Sequence, residues 1–336
     1  MARKPHQLDE DEVGVRPGRG KSRPLSKDRP DHVDAPPGTV IRVDRGRFTV
    51  ERDDLTPIYA IKARELGRKG IVVGDHVDVV GDVTGDTDTQ GRIVRRHERS
   101  STLRRTADDT DPVERVVVAN ATQMAVVTST VNPEPRSGLI DRALVAAYDA
   151  GIEPMLVITK TDLTPPDELL SLYGPLDLPI HLITRKQVPD ELRRSLADEA
   201  TVLVGHSGVG KSTLVNNLVP TADRSTGHVN EVTGRGRHTS TSVVALLLPG
   251  GGWIIDTPGI RSFGLAHVDL GRVVEAFPDL HALTEACPRG CTHDEDECAL
   301  STVTTADGIV RVESLRRLIR SRAGDDEVRG HERHGA

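Results

Sequence analysis

The stretch Gly205–Thr213, GHSGVGKST, fits the phosphate-loop pattern G-x-x-x-x-G-K-[ST]. An apolar segment, TVLV, precedes it and a helical pattern follows it, which is the strand–loop–helix context that the pattern needs. The spacing predicts a phosphate-binding loop in a parallel α/β sheet, with Lys211 on the β and γ phosphates and Ser212 on Mg²⁺. The predicted nucleotide contacts of this loop are Gly205, His206, Ser207, Gly208, Val209, Gly210, Lys211, Ser212 and Thr213.

Two later segments are also typical of a nucleotide site. WIIDTPG runs from an apolar strand into a tight turn, so Asp256 is predicted to hold Mg²⁺ and the N–H of Gly259 to meet a γ-phosphate. The segment 234–242, GRGRHTSTS, favours a switch that the γ-phosphate orders, with an ordinary flexible loop as the alternative. In the switch interpretation the Mg²⁺ shell is completed by one of Thr239, Ser240 and Thr241.

The segment ITKTDL ends the apolar strand PMLVITK and is similar to the guanine-reading N-K-x-D motif. In that motif the Asp carboxylate accepts two N–H groups of guanine and the Lys stem lies along the base. Asn stabilises the loop and contacts the base, and Thr159 in its place can reproduce only part of this. The predicted base contacts are Thr159, Lys160, Thr161 and Asp162, with a helix start capped by Asp162 as the alternative.

This base-reading motif precedes the phosphate loop, whereas in an ordinary GTPase it follows. The sites of a parallel sheet lie at the carboxyl ends of its strands, whatever order the chain visits them in. The reversed order therefore predicts a circular permutation of the GTPase fold.

All three cysteines lie in the pattern Cys287-x3-Cys291-x-His293-x4-Cys298. A reducing compartment makes disulfides unfavourable, which leaves metal binding as the preferred interpretation. Three thiolates and one imidazole complete a tetrahedral shell with no open position, so the pattern predicts one structural Zn²⁺ ion. A chance cluster is the alternative.

Composition divides the chain into four segments. Residues 1–37 are rich in Pro, Gly and charge, which predicts a disordered tail, with an RNA-contacting arm as the alternative. Short alternating segments in 38–112 predict a small sandwich or barrel, and a five-stranded barrel of the OB type fits the length of this segment. Apolar runs such as VVVA (116–119) are expected to be buried parallel strands; they alternate with helical patterns and predict a mostly parallel α/β domain over 113–268. Residues 269–336 are interpreted as a small helical zinc-binding domain.

Charge and hydropathy exclude some classes of protein. The net charge of −7 gives no global basic signature for nucleic acid, and an aromatic content of 2% argues against a base-stacking platform. A basic run after the barrel leaves RNA contact and a solvated strand end equally open: Arg95, Arg96, Arg99, Arg104 and Arg105. There is no membrane-length apolar stretch and no apolar signal segment, so we expect a cytoplasmic protein with no membrane partner.

Together these segments resemble the ribosome small-subunit-dependent GTPase A family, which contains circularly permuted GTPases with an N-terminal OB-fold and a C-terminal zinc module. The resemblance spans roughly residues 38–320 and rests on GHSGVGKST, DTPGIRSF, GRHTST, ERSSTLRR, ITKTDL and the Cys₃His cluster. It implies GTP hydrolysis stimulated by the small ribosomal subunit, a role in late maturation of that subunit, and rRNA contact through the barrel and zinc modules. Two departures are Thr159, where the family usually has Asn, and a Cys spacing one residue tighter on each side of Cys291-x-His293.

The resemblance also suggests a catalytic residue. Ile260 follows DTPG where a Ras-like enzyme carries a water-orienting Gln, and an apolar side chain cannot position water. The resemblance suggests that the side chain of His238, in the switch, moves in to orient the attacking water. The expected cofactors are one structural Zn²⁺ and Mg²⁺ with GTP; the expected partners are the small ribosomal subunit with its rRNA and GTP or GDP, bound by a monomer.

Two other classes of protein are compatible with parts of this pattern. One is a zinc-stabilised rRNA-binding factor in which nucleotide gates affinity and hydrolysis is incidental. The other is a metabolic P-loop kinase, which would need an acceptor site that the sequence does not suggest, and TKTD and DTPG argue against it.

Overall fold

The computed structural model describes residues 32–67, 70–86, 90–106, 114–185, 187–220, 243–258, 263, 265 and 268–321. The chain divides into two compact units, residues 1–34 and 35–336. Only residues 32–34 of the first unit are described, so nearly all of the predicted tail lies outside the described residues. Every element given below belongs to the second unit.

A five-stranded barrel begins the second unit. Its strands are β1 Pro37–Asp44, β2 Arg47–Glu51, β3 Pro57–Lys62, β4 His76–Gly81 and β5 Gly91–Arg96. They pair in the order β1-β2-β3-β5-β4, and β4 also pairs with β1, which closes the barrel. Because the side chains of a strand alternate between its faces, every second residue enters the barrel core, among them Val40, Phe48 and Val50. The predicted OB-type barrel is confirmed.

Two strands after the barrel, β6 Thr102–Thr106 and β7 Glu114–Ala119, form a separate antiparallel sheet. The expectation that VVVA (116–119) is a buried parallel strand is therefore wrong. Seven residues connect β6 to β7, which suffices for an antiparallel pair, whereas a parallel pair needs a crossover of a dozen or more residues. The predicted domain boundary at 112/113 falls between the two strands of this hairpin.

The α/β domain contains a six-stranded sheet. Its strands are β8 Gln123–Ser129, β9 Glu153–Thr159, β10 Ile180–Leu182, β11 Ala200–Val204, β12 Val244–Leu247 and β13 Trp253–Asp256. Its helices are α1 Ser137–Asp149, α2 Asp167–Tyr173, α3 Asp190–Ser195 and α4 Lys211–Leu218. The strand order is β10-β9-β8-β11-β13-β12, and only the pair β12–β13 is antiparallel. This confirms the predicted mostly parallel sheet.

Apolar clusters cover both faces of this sheet. Met124 and Val126 of β8 belong to the cluster that includes α1, whereas Ala125 and Val127 belong to the cluster that includes α4. A parallel sheet with helices on both faces has strands that are apolar throughout. This explains why the strands of this domain read as continuous apolar runs in the sequence.

The barrel and the α/β sheet are hydrogen-bonded to each other. Arg42 of β1 is in antiparallel register with Val244 of β12, so the two sheets continue into one another. Ile41 and Val43 pack against the core cluster of the α/β domain. Strand β12 begins two residues after the segment 234–242, so the barrel borders the strand that leaves the predicted switch.

The C-terminal module is helical. It contains α5 Leu270–Glu275, α6 Pro278–Thr284, a 3₁₀ turn at Ala299–Thr302 and α7 Ala306–Ser321. Val312, Leu315 and Leu318 of α7 are buried in the cluster that includes α1, so this module packs directly on the α/β domain. Within the described ranges, no helix combines the length and the apolar character that crossing a membrane requires.

Candidate functional site

The predicted phosphate loop connects strand β11 to helix α4. Gly205 has a φ of +148°, and a Cβ there would lie 2.2 Å from the carbonyl oxygen of Val127. Gly210 has a φ of +100° directly before α4 begins at Lys211. Glycine adopts such φ values without the steric cost of a side chain. Gly205 therefore lets the loop lie close to strand β8, and Gly210 lets the chain turn before α4 begins. The first N–H groups of α4 are available there to bind anions.

Lys211 and Asp256 lie beside this loop. The Nζ of Lys211 donates to the carbonyl oxygens of Gly205 and His206, the latter at 3.1 Å. Asp256 ends strand β13, the parallel neighbour of β11. Burial raises the pKa of Asp256, and the positive charge of Lys211 opposes that rise. The structure thus brings together a lysine and a carboxylate of the kinds that contact phosphate and Mg²⁺ in P-loop enzymes.

Thr257, which the sequence analysis did not single out, anchors the turn that follows β13. It is 1% exposed, and its hydroxyl donates to the carbonyl oxygen of Leu203 at 2.7 Å. Leu203 lies two residues before Gly205, so this hydrogen bond ties the turn to the strand that leads into the phosphate loop. The only signal in the sequence was a hydroxyl residue directly after Asp256.

The predicted base-reading turn lies against the phosphate loop. Thr159 is 6% exposed, and its hydroxyl lies 2.6 Å from the carbonyl oxygen of Val209 and 3.1 Å from that of Thr128. The Nζ of Lys160 donates to the carbonyl oxygen of Gly208 at 3.1 Å. Thr159 and Val209 are 50 residues apart in the chain. The two motifs nevertheless meet at one edge of the sheet, as the topological argument requires.

Lys160 also holds the segment that follows strand β8. Its Nζ donates to the carbonyl oxygens of Val131, at 3.2 Å, and Asn132. The hydroxyl of Thr130 donates in return to the carbonyl oxygen of Lys160 at 2.8 Å. One ammonium group therefore links three loops, at the carboxyl ends of β8, β9 and β11.

Asp162 is exposed at the same edge and is supported by a segment that the sequence analysis missed. Its Oδ1 accepts the backbone N–H of Arg185 at 3.2 Å. The hydroxyl of Thr161 donates to the carbonyl oxygen of Ile183 at 3.2 Å. These two partners follow β10, which is the parallel neighbour of β9. Their position after an apolar strand was the only signal that could have identified them.

The other predicted nucleotide and Mg²⁺ residues divide into two groups. Ser212 and Thr213 lie in the first turn of α4, and His206 Nδ1 lies 2.8 Å from the carbonyl oxygen of Ser207. One hydroxyl and one carboxylate, from Ser212 and Asp256, suit Mg²⁺, which proteins hold through one or two carboxylates together with substrate phosphates. The second group, Thr239, Ser240, Thr241 and Gly259, lies outside the described residues, and so do Ile260, which follows DTPG, and the predicted catalytic His238.

The four predicted zinc ligands come together in the C-terminal module, with ligand atoms within 4.8 Å of one another. Cys287 Sγ lies 3.6 Å from both Cys298 Sγ and His293 Nδ1, and Cys298 Sγ lies 3.7 Å from that nitrogen. A tetrahedral shell with Zn–S bonds of about 2.3 Å has edges of about 3.8 Å. The spacing therefore fits one tetrahedral ion, and Cys287, Cys291, His293 and Cys298 could hold a metal ion.

Backbone N–H groups favour the thiolate form of two of these cysteines, whereas burial raises the pKa of the Cys291 thiol and opposes this effect. The N–H of His293 donates to Cys291 Sγ at 3.3 Å, and the N–H of Leu300 donates to Cys298 Sγ at 3.4 Å. Such bonds stabilise a thiolate, the form of cysteine that binds metal. Burial lowers the pKa of His293, which favours the neutral imidazole. Cys298 is 2% exposed and belongs to the core cluster that includes α1, here called the main core cluster, so the site is continuous with the core.

Arginines of α7 join this metal loop to the α/β domain. Arg316 donates to the carbonyl oxygen of His293 at 3.1 Å. The adjacent Arg317 donates to the two carboxylate oxygens of Asp141, at 3.3 and 3.1 Å. Asp141 belongs to α1 and is 3% exposed. One turn of helix therefore contacts both the metal loop and the core of the α/β domain.

A barrel, a permuted α/β sheet with its two motifs at one edge, and a Cys₃His module define a circularly permuted GTPase of the P-loop class. The family model for the RsgA GTPase matches residues 96–266. The small ribosomal subunit biogenesis GTPase RsgA of Ectopseudomonas mendocina (strain ymp) is 39% identical over 269 residues, which is 76% of either chain. Its namesake in Pseudomonas aeruginosa (strain LESB58) is 41% identical over 220 residues, 62% of this chain and 64% of its own. The chain belongs to the RsgA GTPase family.

Two solved structures share the architecture. YjeQ from Thermotoga maritima is 26% identical, with a TM-score of 0.59 over 86% of this chain and 99% of its own. YloQ, described as a circularly permuted GTPase, has a TM-score of 0.60 over 89% of this chain and 99% of its own. YloQ is 24% identical, and at that level its likeness shows the fold alone. The predicted permuted fold is confirmed.

Proposed function

We propose that this protein is a GTP hydrolase that acts in the biogenesis of the small ribosomal subunit, binds that subunit and is stimulated by it. The observation that carries the proposal is the contact between the base-reading turn and the phosphate loop, made by Thr159 to Val209 and by Lys160 to Gly208. This contact supports the proposal that the two motifs, at one edge of the sheet, bind the base and the phosphates of a single nucleotide. Membership of the family favours this function over an RNA-binding factor with incidental hydrolysis.

In this proposal the described residues bind and orient GTP. Lys211 exchanges its contacts with the carbonyl oxygens of Gly205 and His206 for the β and γ phosphates. Ser212 and Asp256 hold Mg²⁺, which supplies positive charge against the phosphates. Asp162 accepts the N–H groups of guanine. Lys211 and Asp162, at the two ends of the nucleotide, are each already held by hydrogen bonds to the backbone.

His238 is proposed to orient the attacking water. The residue that follows DTPG is Ile260, whose side chain cannot hydrogen-bond to water. His238→Ala should keep GTP binding and lower turnover in the presence of small subunits by about 10²-fold or more, the usual contribution of a positioned polar side chain. Binding is measured by titration and turnover by phosphate release. Unchanged turnover in the variant would refute this role.

The Cys₃His cluster is proposed to bind one structural Zn²⁺ ion through Cys287, Cys291, His293 and Cys298. All four tetrahedral positions are taken by protein atoms, so the ion has no open position for substrate. Its function is then to fix the loop that α7 contacts, and to give the C-terminal module a defined surface for rRNA. We propose that the barrel also contacts rRNA, and that the protein is cytoplasmic and monomeric.

The central experiment measures phosphate release from GTP with and without purified small ribosomal subunits. We expect slow hydrolysis by the protein alone and an increase of at least about tenfold with subunits; in other GTPases an arginine finger supplied by a partner accelerates hydrolysis by about 10³–10⁵-fold. Lys211→Ala should abolish both rates. Gly250→Ala, at an open position with no atom within 4 Å of an added Cβ, is the matched control. A rate that subunits do not change would refute the proposed stimulation.

A further inference from the structure

We propose that Thr159 is a positioning residue that holds the phosphate loop and makes no hydrogen bond to the base. The inference rests on the proposed function, because it concerns how the same site selects guanine. It assigns to Thr159 a task different from that of the Asp162 carboxylate, although the two residues belong to one short motif.

The hydroxyl of Thr159 has too few hydrogens to bind both the loop and the base. A threonine hydroxyl carries a single hydrogen that it can donate. The hydroxyl of Thr159 hydrogen-bonds to two oxygens, of Val209 at 2.6 Å and of Thr128 at 3.1 Å, and both are backbone carbonyls that can only accept. The shorter distance lies at the strong end of the range for O–H···O hydrogen bonds. The hydrogen is therefore committed to the backbone, and to the phosphate loop in particular.

The packing around the Thr159 side chain also holds its hydroxyl in place. Thr159 is 6% exposed. A Cβ added to Gly210 would lie 3.6 Å from Oγ1 of Thr159 and 3.8 Å from Cγ2 of Thr159, so the backbone of the phosphate loop packs against the Thr159 side chain. Rotating the hydroxyl toward a ligand would leave the carbonyl of Val209 without this donor, and an unpaired buried carbonyl is costly. The hydroxyl is thus held in its present orientation.

The chemistry of guanine leaves no hydrogen bond for this hydroxyl to make. Guanine presents two acceptors, N7 and O6, on one edge. A hydroxyl whose hydrogen is already used has only lone pairs left and cannot pair with either. An asparagine amide has two hydrogens, enough for one carbonyl and one base acceptor. Thr159 therefore keeps the loop contact and omits the base contact, which leaves the choice of guanine to Asp162.

The test compares GTP with 7-deaza-GTP, which lacks the N7 acceptor. Both are titrated, with Mg²⁺, against a ribose-labelled fluorescent GDP bound to the full chain, and ATP is included as a third competitor. The proteins are the wild type, Thr159→Val, Thr159→Ser and Thr159→Asn. Valine matches threonine in shape but has no hydroxyl, and serine restores it.

We expect Thr159→Val to weaken GTP and 7-deaza-GTP equally, by about five- to tenfold, as the loss of one hydrogen bond predicts. Thr159→Ser should recover most of this loss. Thr159→Asn should newly prefer GTP over 7-deaza-GTP by about threefold or more. The ratio of two dissociation constants does not depend on the folded fraction of a preparation, so a partly unfolded variant still gives an answer.

Three results would overturn the inference. Weakening of GTP but not of 7-deaza-GTP in Thr159→Val would mean that the hydroxyl contacts N7. Unchanged binding of both would mean that it does not hold the loop. A Thr159→Asn protein with no preference between the two would mean that the number of hydrogens at this position does not set the base contact. Displacement by ATP as strong as by GTP would instead refute guanine reading itself, and with it the proposed function.

Discussion

Replacing Arg317 by Met breaks the ion pair that connects α7 to α1, and its cost follows from burial. The side chain of Asp141 is 5% exposed and that of Arg317 is 25% exposed. Removing one partner of a buried pair costs about 3–5 kcal/mol, because the other charge stays buried, and the partial exposure of Arg317 favours the lower end. The guanidinium also lies 5.0 Å from the ring centroid of Tyr173, a cation–π contact worth about 0.5–1 kcal/mol. We expect Arg317→Met to lower the free energy of unfolding by about 3 kcal/mol.

The pH dependence of this loss has a definite sign. Burial raises the pKa of Asp141, and the charge of Arg317 opposes the rise, so removing Arg317 raises the pKa further. A carboxyl with a raised pKa in the folded state contributes stability below its unfolded pKa and loses that contribution as the pH rises through its folded pKa. The deficit of Arg317→Met should therefore be smaller at about pH 5 than at about pH 7. The double variant Asp141→Asn/Arg317→Met has no carboxyl here and should show no such change.

Urea unfolding followed by the fluorescence of Trp253 measures this loss. Trp253 is the single tryptophan of the chain and packs against the main core cluster. The midpoint should fall in Arg317→Met while the slope stays constant. The double variant should be more stable than Arg317→Met, because it buries no unpaired charge. A loss below about 1 kcal/mol, the range of a surface ion pair, or a double variant less stable than the single one, would refute the reasoning.

Two further predictions concern the metal cluster and the phosphate loop. Cys298→Ser should reduce bound zinc, measured by atomic emission, from one ion per chain to nearly none. It should also lower the melting temperature, since structural zinc contributes about 10–16 kcal/mol of apparent binding free energy. Full zinc content in this variant would contradict the assignment. Gly205→Ala should abolish GTP binding in a fluorescence titration and lower the free energy of unfolding by over about 2 kcal/mol, because its Cβ would lie 2.2 Å from a backbone carbonyl oxygen. Gly250→Ala, whose Cβ would have no atom within 4 Å, should match the wild type in both measurements. Equal behaviour of the two glycine variants would count against this steric argument.

The sequence alone was sufficient wherever the chemistry needs residues that are close together in the chain. The phosphate loop requires glycines and a lysine at set intervals, and the Cys₃His cluster occupies twelve consecutive residues, so both were predictable as local patterns. The barrel was predictable because burial of one strand face alternates apolar with polar residues, and the parallel sheet because burial of both faces gives continuous apolar runs between helical patterns. The permuted order also followed, since it depends only on which motif comes first.

The tertiary structure decided the contacts whose partners are far apart in the chain. VVVA has the composition of a buried parallel strand, yet β7 pairs with β6, because pairing depends on the neighbouring strand as well as on composition. The hydrogen bond from Thr159 spans 50 residues and the pair of Arg317 with Asp141 spans 176. No local pattern indicates that a hydroxyl will meet a particular carbonyl or that an arginine will meet a particular buried carboxylate. Those partners are selected only when the sheet brings its loops to one edge and α7 packs on α1.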